Sequence, residues 1–261
     1  MSGRFTSEQL KKIAMGTMFI DHAAVAVIYR HGLDEMSPLL EHIGLAMRLV
    51  GRMAFPLYAF LLVQGFLWTR DWKKYVSRML LFAFAAEIPF NLASKGTLWY
   101  PYAQNTILTL SVGLICLKMI NILEEKYDLP WPGKPVTGFG DECGNVFLGY
   151  VLVIWVTAVS MAMARVFGFD YDAGGILLIV LFYVFRCRPA EQAAAGMAGL
   201  LLIYGFSTYV FFAWIAIFFI SRYNGERGRR MGYLPYVFYP AHLLAVWIAG
   251  ELIMIGLAAG I

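Results

Sequence analysis

The sequence predicts an all-α, polytopic membrane protein with about nine transmembrane helices. Of its 261 residues, 60% are hydrophobic and 15% are charged, whereas soluble domains average about 45–50% apolar and about 25% charged residues. Apolar runs of helical length alternate with short polar loops along the whole chain. No polar stretch is long enough for a soluble domain, so residues 1–261 are predicted to form a single membrane domain.

The first five predicted spans are the longest apolar runs, since a crossing needs about 20 residues at ~1.5 Å rise each. The first, residues 10–30, is too long and too polar at its centre for a cleaved signal peptide, so it is predicted to be an uncleaved span. The next four are residues 44–68, 76–93, 105–123 and 146–167. Between the fourth and fifth, Trp-Pro-Gly-Lys-Pro breaks any helix.

The last four predicted spans are less clearly separated. They are residues 173–187, 192–204, 206–221 and 235–259. The first three of them are shorter than the ~20 residues of a full crossing. Totals of eight or ten spans therefore remain alternatives to nine.

Basic residues predict the orientation, because cytoplasmic loops carry an excess of lysine and arginine. With nine spans, five basic groups fall on one side of the membrane. The groups are Arg4, Lys11 and Lys12; Arg70, Lys73, Lys74 and Arg78; Lys118, Lys126 and Lys134; Arg186 and Arg188; and Arg222, Arg227, Arg229 and Arg230. The N-terminus is therefore expected in the cytoplasm and the C-terminus outside.

The first predicted span carries an acid and a base near its middle, Asp21 and His22. An ionisable side chain at that depth costs at least ~2.5 kcal/mol, so it marks a candidate site. Consecutive helical residues point ~100° apart. We therefore expect His22 to face the site and Asp21 to support it by orienting a group on another helix. The alternative for His22 is a hydrogen-bonded histidine that packs spans together.

Other polar residues reach a similar depth in the second to fourth spans. Arg52 and Glu87 are predicted to form a buried ion pair, because an unpaired charge there would be very costly. That pair either locks two helices together or serves catalysis, with Glu87 orienting the histidine or Arg52 holding an acceptor carboxylate or developing oxyanion. Arg48, Asn91 and Asn105 are candidate acceptor contacts, although Asn91 also suits a hydrogen bond between helices.

A second polar group lies nearer the predicted cytoplasmic side. Lys11 and His22 are 11 residues apart, or about three turns, and so share nearly one stripe of the helix over ~16 Å. A cationic end and a titratable ring on one stripe suit an extended anionic ligand. The candidate residues for that ligand are Lys11, Lys12, Arg222, Tyr239 and His242. There are simpler alternatives for two of them. Arg222 would only mark a cytoplasmic loop, and His242 would only lie at the membrane interface.

Neither a metal nor a nucleic acid is predicted. Cys116, Cys143 and Cys187 form no CxxC pair and lie at no metal-ligand spacing from a histidine. The net charge of +4 comes from basic residues scattered in short loops, which is typical of a polytopic membrane protein in contact with lipid.

Four segments resemble the TraX family, in matching order along almost the whole chain. They are Leu-Lys-Lys-Ile-Ala-Met-Gly-Thr-Met-Phe-Ile-Asp-His at 10–22, Arg-Leu-Val-Gly-Arg-Met-Ala-Phe-Pro-Leu-Tyr-Ala-Phe-Leu-Leu-Val-Gln-Gly-Phe at 48–66, Ala-Glu-Ile-Pro-Phe-Asn at 86–91 and Phe-Tyr-Pro-Ala-His at 238–242. The family is named for the conjugation protein that N-acetylates F-type pilin. It is similar in turn to surface-sugar O-acyltransferases and the lysosomal heparan glucosaminide acetyltransferase.

The resemblance implies a bacterial inner-membrane acetyltransferase that takes acetyl-CoA from the cytoplasm. Its acceptor would be an amine or hydroxyl of pilin or of another surface molecule. In the O-acyltransferases an arginine, ten residues and a histidine in the first span mark the site, and Lys11 and His22 match those positions. Lysine keeps the charge there but not the bidentate geometry of arginine.

The catalytic candidates are His22, Glu87, Asp21 and Arg52. His22 would act as a general base, or would carry the acetyl group transiently. A different reading of the same buried groups is a proton-coupled small-molecule transporter that uses Asp21, His22 and Glu87 as a relay. The lack of repeated halves speaks against transport. A third possibility, an assembly factor of a secretion apparatus, would not need the buried charges.

Overall fold

The computed structural model describes residues 3–134 and 143–259, which are helical with no strand in these ranges. The all-α prediction is therefore confirmed. The helices are α1 (Ser7–Ala23), continued by a π-helical segment (Ala24–Tyr29), α2 (Leu33–Met36), α3 (Pro38–Gly51), α4 (Ala54–Trp68), α5 (Trp72–Lys95), α6 (Thr106–Tyr127), α7 (Cys143–Val166), α8 (Asp172–Val184), α9 (Pro189–Tyr204), α10 (Thr208–Ser221) and α11 (Leu234–Ala258). The Cys143 side chain lies outside the described part.

Each predicted span coincides with a helix or a helix pair. In the described ranges, six segments are long and apolar enough to cross a membrane: Ser7–Tyr29, Pro38–Trp68, Trp72–Lys95, Thr106–Tyr127, Asn145–Val166 and Leu234–Ala258. The apolar helices α8, α9 and α10 have 13, 16 and 14 residues. At ~1.5 Å per residue they are shorter than the ~30 Å hydrocarbon core. These helices indicate a multi-pass membrane protein, and the orientation stays a prediction.

The second span begins earlier than predicted and is broken. Pro38 opens α3, since proline at the first helical position costs no hydrogen bond. The helix stops at Gly51, and α4 resumes at Ala54. Pro56 explains the break, because it has no N–H for the carbonyl of Arg52 and its ring crowds that group. The break leaves Arg52 at the end of a helix rather than inside one.

Helix α4 is the centre of the bundle and packs against α1, α6, α8 and α10. Its residues Phe55, Leu57, Phe60 and Val63 are almost completely buried. A helix that is apolar all round is expected in such a position. The remaining helices surround α4 and present apolar side chains outward, where lipid would cover them.

Helix ends gather at two opposite ends of the bundle. At one end, Phe5 and Tyr223 form an isolated parallel bridge, which joins the start of α1 to the end of α10. At the other end, a bridge between Gln104 and Phe169 joins the start of α6 to the end of α7. The first end carries Lys11 and the Arg222–Arg230 cluster, and we call it the basic end.

A buried ion cluster ties α6 to α8 near the basic end. Glu124, whose side chain is 4% exposed, accepts hydrogen bonds from Arg186 at 2.6 Å, Lys134 at 2.8 Å and the Tyr183 hydroxyl at 2.7 Å. One carboxylate thus compensates two cations. Removing one partner of such a buried group leaves charge uncompensated.

We therefore expect Glu124→Gln to lower the free energy of unfolding by about 3 kcal/mol, within the range for breaking buried pairs. The measurement is thermal unfolding of the purified protein in detergent. Glu125→Gln is the matched control, because Glu125 is the exposed neighbour on the same helix turn. Equal melting temperatures for the two variants would contradict the assignment.

Candidate active site: two cavities beside a histidine pair

Two adjoining cavities lie along one face of α1. Ser7, Lys11 and Met18 line the first cavity, and Met18, Asp21, His22 and Val25 line the second. These positions repeat at helical spacing, so one face of α1 borders both cavities. The sequence had placed Lys11 and His22 on this shared face. The two cavities have Met18, Tyr58 and Thr106 in common, and we call these residues the junction.

The larger cavity, the basic cavity, has a volume of about 360 Å³ and lies at the basic end. Lys11, Arg70, Arg78 and Arg227 line it, and no acidic residue does within the described parts of the chain. Apolar and tyrosine side chains form the remaining wall. A pocket of this size with one sign of charge at its mouth suits an anionic ligand with an apolar arm.

The smaller cavity, the histidine cavity, has a volume of about 170 Å³. Its polar wall contains His22, Asp21, Arg48, Arg52 and Asp170. The His22 imidazole therefore shares this cavity with two carboxyl groups and two guanidinium groups. A cavity of this kind suits a small polar group that must be oriented for proton transfer.

His22 forms one member of a hydrogen-bonded pair. Its Nδ1 lies 2.7 Å from Nε2 of His242, whose Nδ1 donates to the Phe238 carbonyl at 2.8 Å. A carbonyl only accepts, so Nε2 of the neutral His242 must accept a proton donated by Nδ1 of His22. Nε2 of His22 is then left unprotonated. The chain of bonds therefore fixes His22 in the tautomer that a general base needs.

Asp21 faces away from this pair and holds two arginines. Its carboxylate oxygens lie 2.7 Å from Nη1 of Arg48 and 2.7 Å from Nη2 of Arg52. The two arginines are four residues apart and so project from the same side of α3. Gly51 packs directly against the Asp21 side chain, which allows this close approach of α1 and α3.

The predicted Arg52–Glu87 ion pair is wrong. Arg52 pairs with Asp21, and Glu87 instead accepts a hydrogen bond from the Asn105 amide at 2.5 Å. The same amide donates to the Ala83 carbonyl, while Asn105 Oδ1 caps α6 by accepting from the Ile107 backbone. Glu87 and Asn105 therefore join α5 to α6, and neither residue lines either cavity.

The other predicted site residues divide between the cavities and the surroundings. Lys11 and Tyr239 line the basic cavity. Lys12 pairs with Glu8 at 2.7 Å on the surface, and Arg222 lies over the Phe218 ring. His242 lies behind His22 rather than in either cavity. Asn91 is buried without a hydrogen bond from its amide in the described residues and lines neither cavity.

Asp170 and Tyr171 complete the histidine cavity, and the sequence did not predict them. Thr106 donates to an Asp170 carboxylate oxygen at 2.5 Å, and Thr109 donates to the Asp170 carbonyl. Tyr171 stacks on Phe55 with 3.7 Å between ring centres. Burial raises the pKa of the Asp170 carboxyl. Both residues lie between the predicted spans 146–167 and 173–187, and nothing in the sequence near them shows that this loop folds inward.

Tyr171 and Asp172 both adopt the left-handed conformation, with φ of 66° and 47°. Such angles are uncommon for residues other than glycine and are kept where the surroundings enforce them. Here the stacking on Phe55 and the bonds to α6 supply that constraint.

We expect Gly51→Ala to destabilise the protein by about 1–3 kcal/mol, as overpacking does, because the new Cβ meets the Asp21 side chain. Gly16→Ala is the matched control: no heavy atom lies within 4 Å of its would-be Cβ. Alanine at that helix position is expected to raise the free energy of unfolding by roughly 0.5–1 kcal/mol. Thermal unfolding in detergent measures both. A Gly51→Ala protein as stable as the Gly16→Ala protein would show that α1 and α3 are not closely packed.

Comparison with known proteins agrees with the resemblance seen in the sequence. The family model described as "TraX protein" matches residues 6–249. The chain is 27% identical over 254 residues to a protein of Dichelobacter nodosus named "Probable fimbrial assembly protein FimC, serogroup H1", covering 92% of this chain and 93% of that protein. No solved structure matches the chain significantly. Since the family match spans almost all of its length and both cavities, the chain belongs to the TraX family.

Proposed function

We propose that the protein is an integral membrane acetyltransferase. In this proposal an acetyl group moves from acetyl-CoA in the basic cavity to an amine or hydroxyl in the histidine cavity. The observation that carries the proposal is the junction: a cationic cavity and a cavity with an unprotonated histidine nitrogen meet at Met18, Tyr58 and Thr106. Group transfer needs two substrates brought together beside a base.

The basic cavity fits the donor by charge and shape. Phosphates at the basic end would lie among Lys11, Arg70, Arg78 and Arg227, and the apolar wall beyond them would accept the pantetheine arm. Arg78 also lies 6.0 Å from the ring centres of Tyr233 and Tyr236, so its planar side chain is held in place. The basic end would face the cytoplasm, where acetyl-CoA is made, as the positive charges predict.

His22 would act as a general base on the acceptor. Its Nε2 removes the proton from the acceptor nitrogen or oxygen as that atom bonds to the thioester carbon. The carbon–sulfur bond then breaks, and the proton passes from His22 to the leaving thiolate, which restores the neutral histidine pair. His242 is a positioning residue in this scheme, because it contacts His22 and lines neither cavity.

The family and the named relative point to pilin as one class of acceptor. The relative's name connects it with fimbrial assembly, so we propose a pilus subunit in the bacterial inner membrane as the acceptor to test first. Nothing in the histidine cavity restricts the acceptor to an amine.

The geometry offers less support to a proton-coupled transporter. A relay would need Asp21, His22 and Glu87 within reach of one another. Asp21 is neutralised by two arginines, and Glu87 is bound to Asn105 outside both cavities. His22 lines the histidine cavity without a free acid beside it to serve as a relay partner from this set, and catalysis explains this arrangement better.

We expect His22→Ala to lower acetyl transfer at least about 100-fold, since general bases contribute about 10²–10⁴-fold. The assay incubates membranes containing the full chain with radiolabelled acetyl-CoA and identifies labelled products by mass spectrometry. His42→Ala is the matched control, because His42 is exposed on α3 and lines neither cavity. Normal turnover in a well-expressed His22→Ala protein would refute the mechanism. A purified protein that binds no acetyl-CoA would refute the proposed donor.

We expect His242→Leu to lower kcat at least tenfold while KM for acetyl-CoA stays within about twofold, because the base loses its orientation but the donor contacts remain. His242→Gln should recover part of kcat, since its amide oxygen can accept the proton of His22 Nδ1. Steady-state kinetics of the purified variants supply the comparison. If glutamine were no better than leucine, His242 would be a packing residue only.

A further inference from the structure

We propose that the hydroxyl groups of Tyr58 and Tyr239 stabilise the oxyanion that forms on the acetyl carbonyl during transfer. The inference rests on the proposed function and adds two catalytic residues to it. Neither belongs to the base and its support, which are His22 and His242.

Both hydroxyls are buried and without a hydrogen bond in the described residues. The oxygen atoms of Tyr58 and Tyr239 belong to the small set of buried polar atoms that lack a partner. Both tyrosines line the basic cavity, and Tyr239 also lies beside Thr106, the first residue of α6. A buried hydroxyl that bonds to nothing costs free energy, so two such groups lining one cavity suggest a ligand atom that accepts hydrogen bonds from them.

Both tyrosines also lie close to where the proposed reaction would take place. Tyr58 lines both cavities at the junction, and Tyr239 lines the basic cavity. The Tyr239 ring meets the His22 ring edge-on, with 6.0 Å between centres. A thioester that enters through the basic cavity and reacts beside His22 must bring its carbonyl to this place.

The other junction side chains cannot supply the donors. Met18 has no N–H or O–H group, and the Thr106 hydroxyl already donates to Asp170 at 2.5 Å. Tyr58 at the junction and Tyr239 in the basic cavity beside Thr106 therefore carry the hydroxyl donors that have no partner in the described residues. Arg48 and Arg52, the cations that line the histidine cavity in the described residues, are held by Asp21.

The step that these hydroxyls would assist is the attack on the thioester. As the acceptor atom bonds to the carbonyl carbon, the electrons of the C=O π bond move to oxygen, and the acceptor proton goes to His22 Nε2. Two phenol O–H groups directed at that oxygen stabilise the negative charge where water is excluded. When the C=O bond re-forms, the thiolate leaves and takes the proton from His22.

The test compares Tyr58→Phe, Tyr239→Phe and Tyr150→Phe. The first two remove hydroxyls without partners, so we expect unchanged or higher melting temperatures and a kcat about 100-fold lower, as for loss of one oxyanion-hole donor. KM for acetyl-CoA should stay within about twofold. Tyr150 donates to the Pro130 carbonyl and lines neither cavity, so its variant should melt earlier and keep its kcat.

A spectroscopic measurement tests the same inference without an acceptor substrate. The probe is acetyl-CoA labelled with ¹³C at the carbonyl, bound to the full-length His22→Gln protein, which is expected not to turn over. Its infrared carbonyl stretch should lie at a lower frequency than in water-free solvent, and should rise when Tyr58→Phe or Tyr239→Phe is added. An unchanged stretch, an unchanged kcat or an effect confined to KM would overturn the inference.

The two proposals fail in different ways. Loss of activity in His22→Ala together with wild-type kcat in both tyrosine variants would leave the acetyltransferase intact and refute the oxyanion assignment alone. Absence of acetyl-CoA binding to the wild-type protein would refute both.

Discussion

The ion pair between Asp21 and the two arginines determines the geometry of everything beside it. Charges inside an apolar bundle must be compensated, and here one carboxylate on α1 compensates Arg48 and Arg52 on α3. This contact fixes the rotation of α1 about its axis. Because His22 follows Asp21, it points ~100° away, toward α11, where His242 receives it. The adjacent acid and base of the sequence thus serve two different helix contacts.

The sequence was sufficient to predict the fold class and the extent of most helices. Apolar runs separated by turns determine both, and the structure has a helix at every predicted segment. The break after Arg52 was missed, since its cause, Pro56, acts four residues upstream. The different directions of the His22 and Asp21 side chains were also predictable, because they depend only on the helical repeat. Each of these features is local in the chain.

The partners of the buried side chains were harder to predict. Depth in the membrane placed Arg52 and Glu87 at one level, but depth says nothing about the direction in which a side chain points. Arg52 therefore meets Asp21, and Glu87 meets Asn105. The same limitation hid the loop residues Asp170 and Tyr171, which reach the histidine cavity only because α8 packs on α4. Only an assembled bundle reveals such contacts between residues far apart in sequence.

The junction has a consequence for the energetics of a cell if the proposed function holds. Three side chains line both the cavity at the basic end and the histidine cavity beside it. An acetyl group that passes the junction would move from one cavity into the next, while the bulky nucleotide that delivered it stays in the basic cavity. The chemical potential of a cytoplasmic thioester would then drive a modification beyond the membrane with no carrier crossing and no ion gradient consumed. The junction would then couple thioester cleavage on one side to acceptor modification on the other.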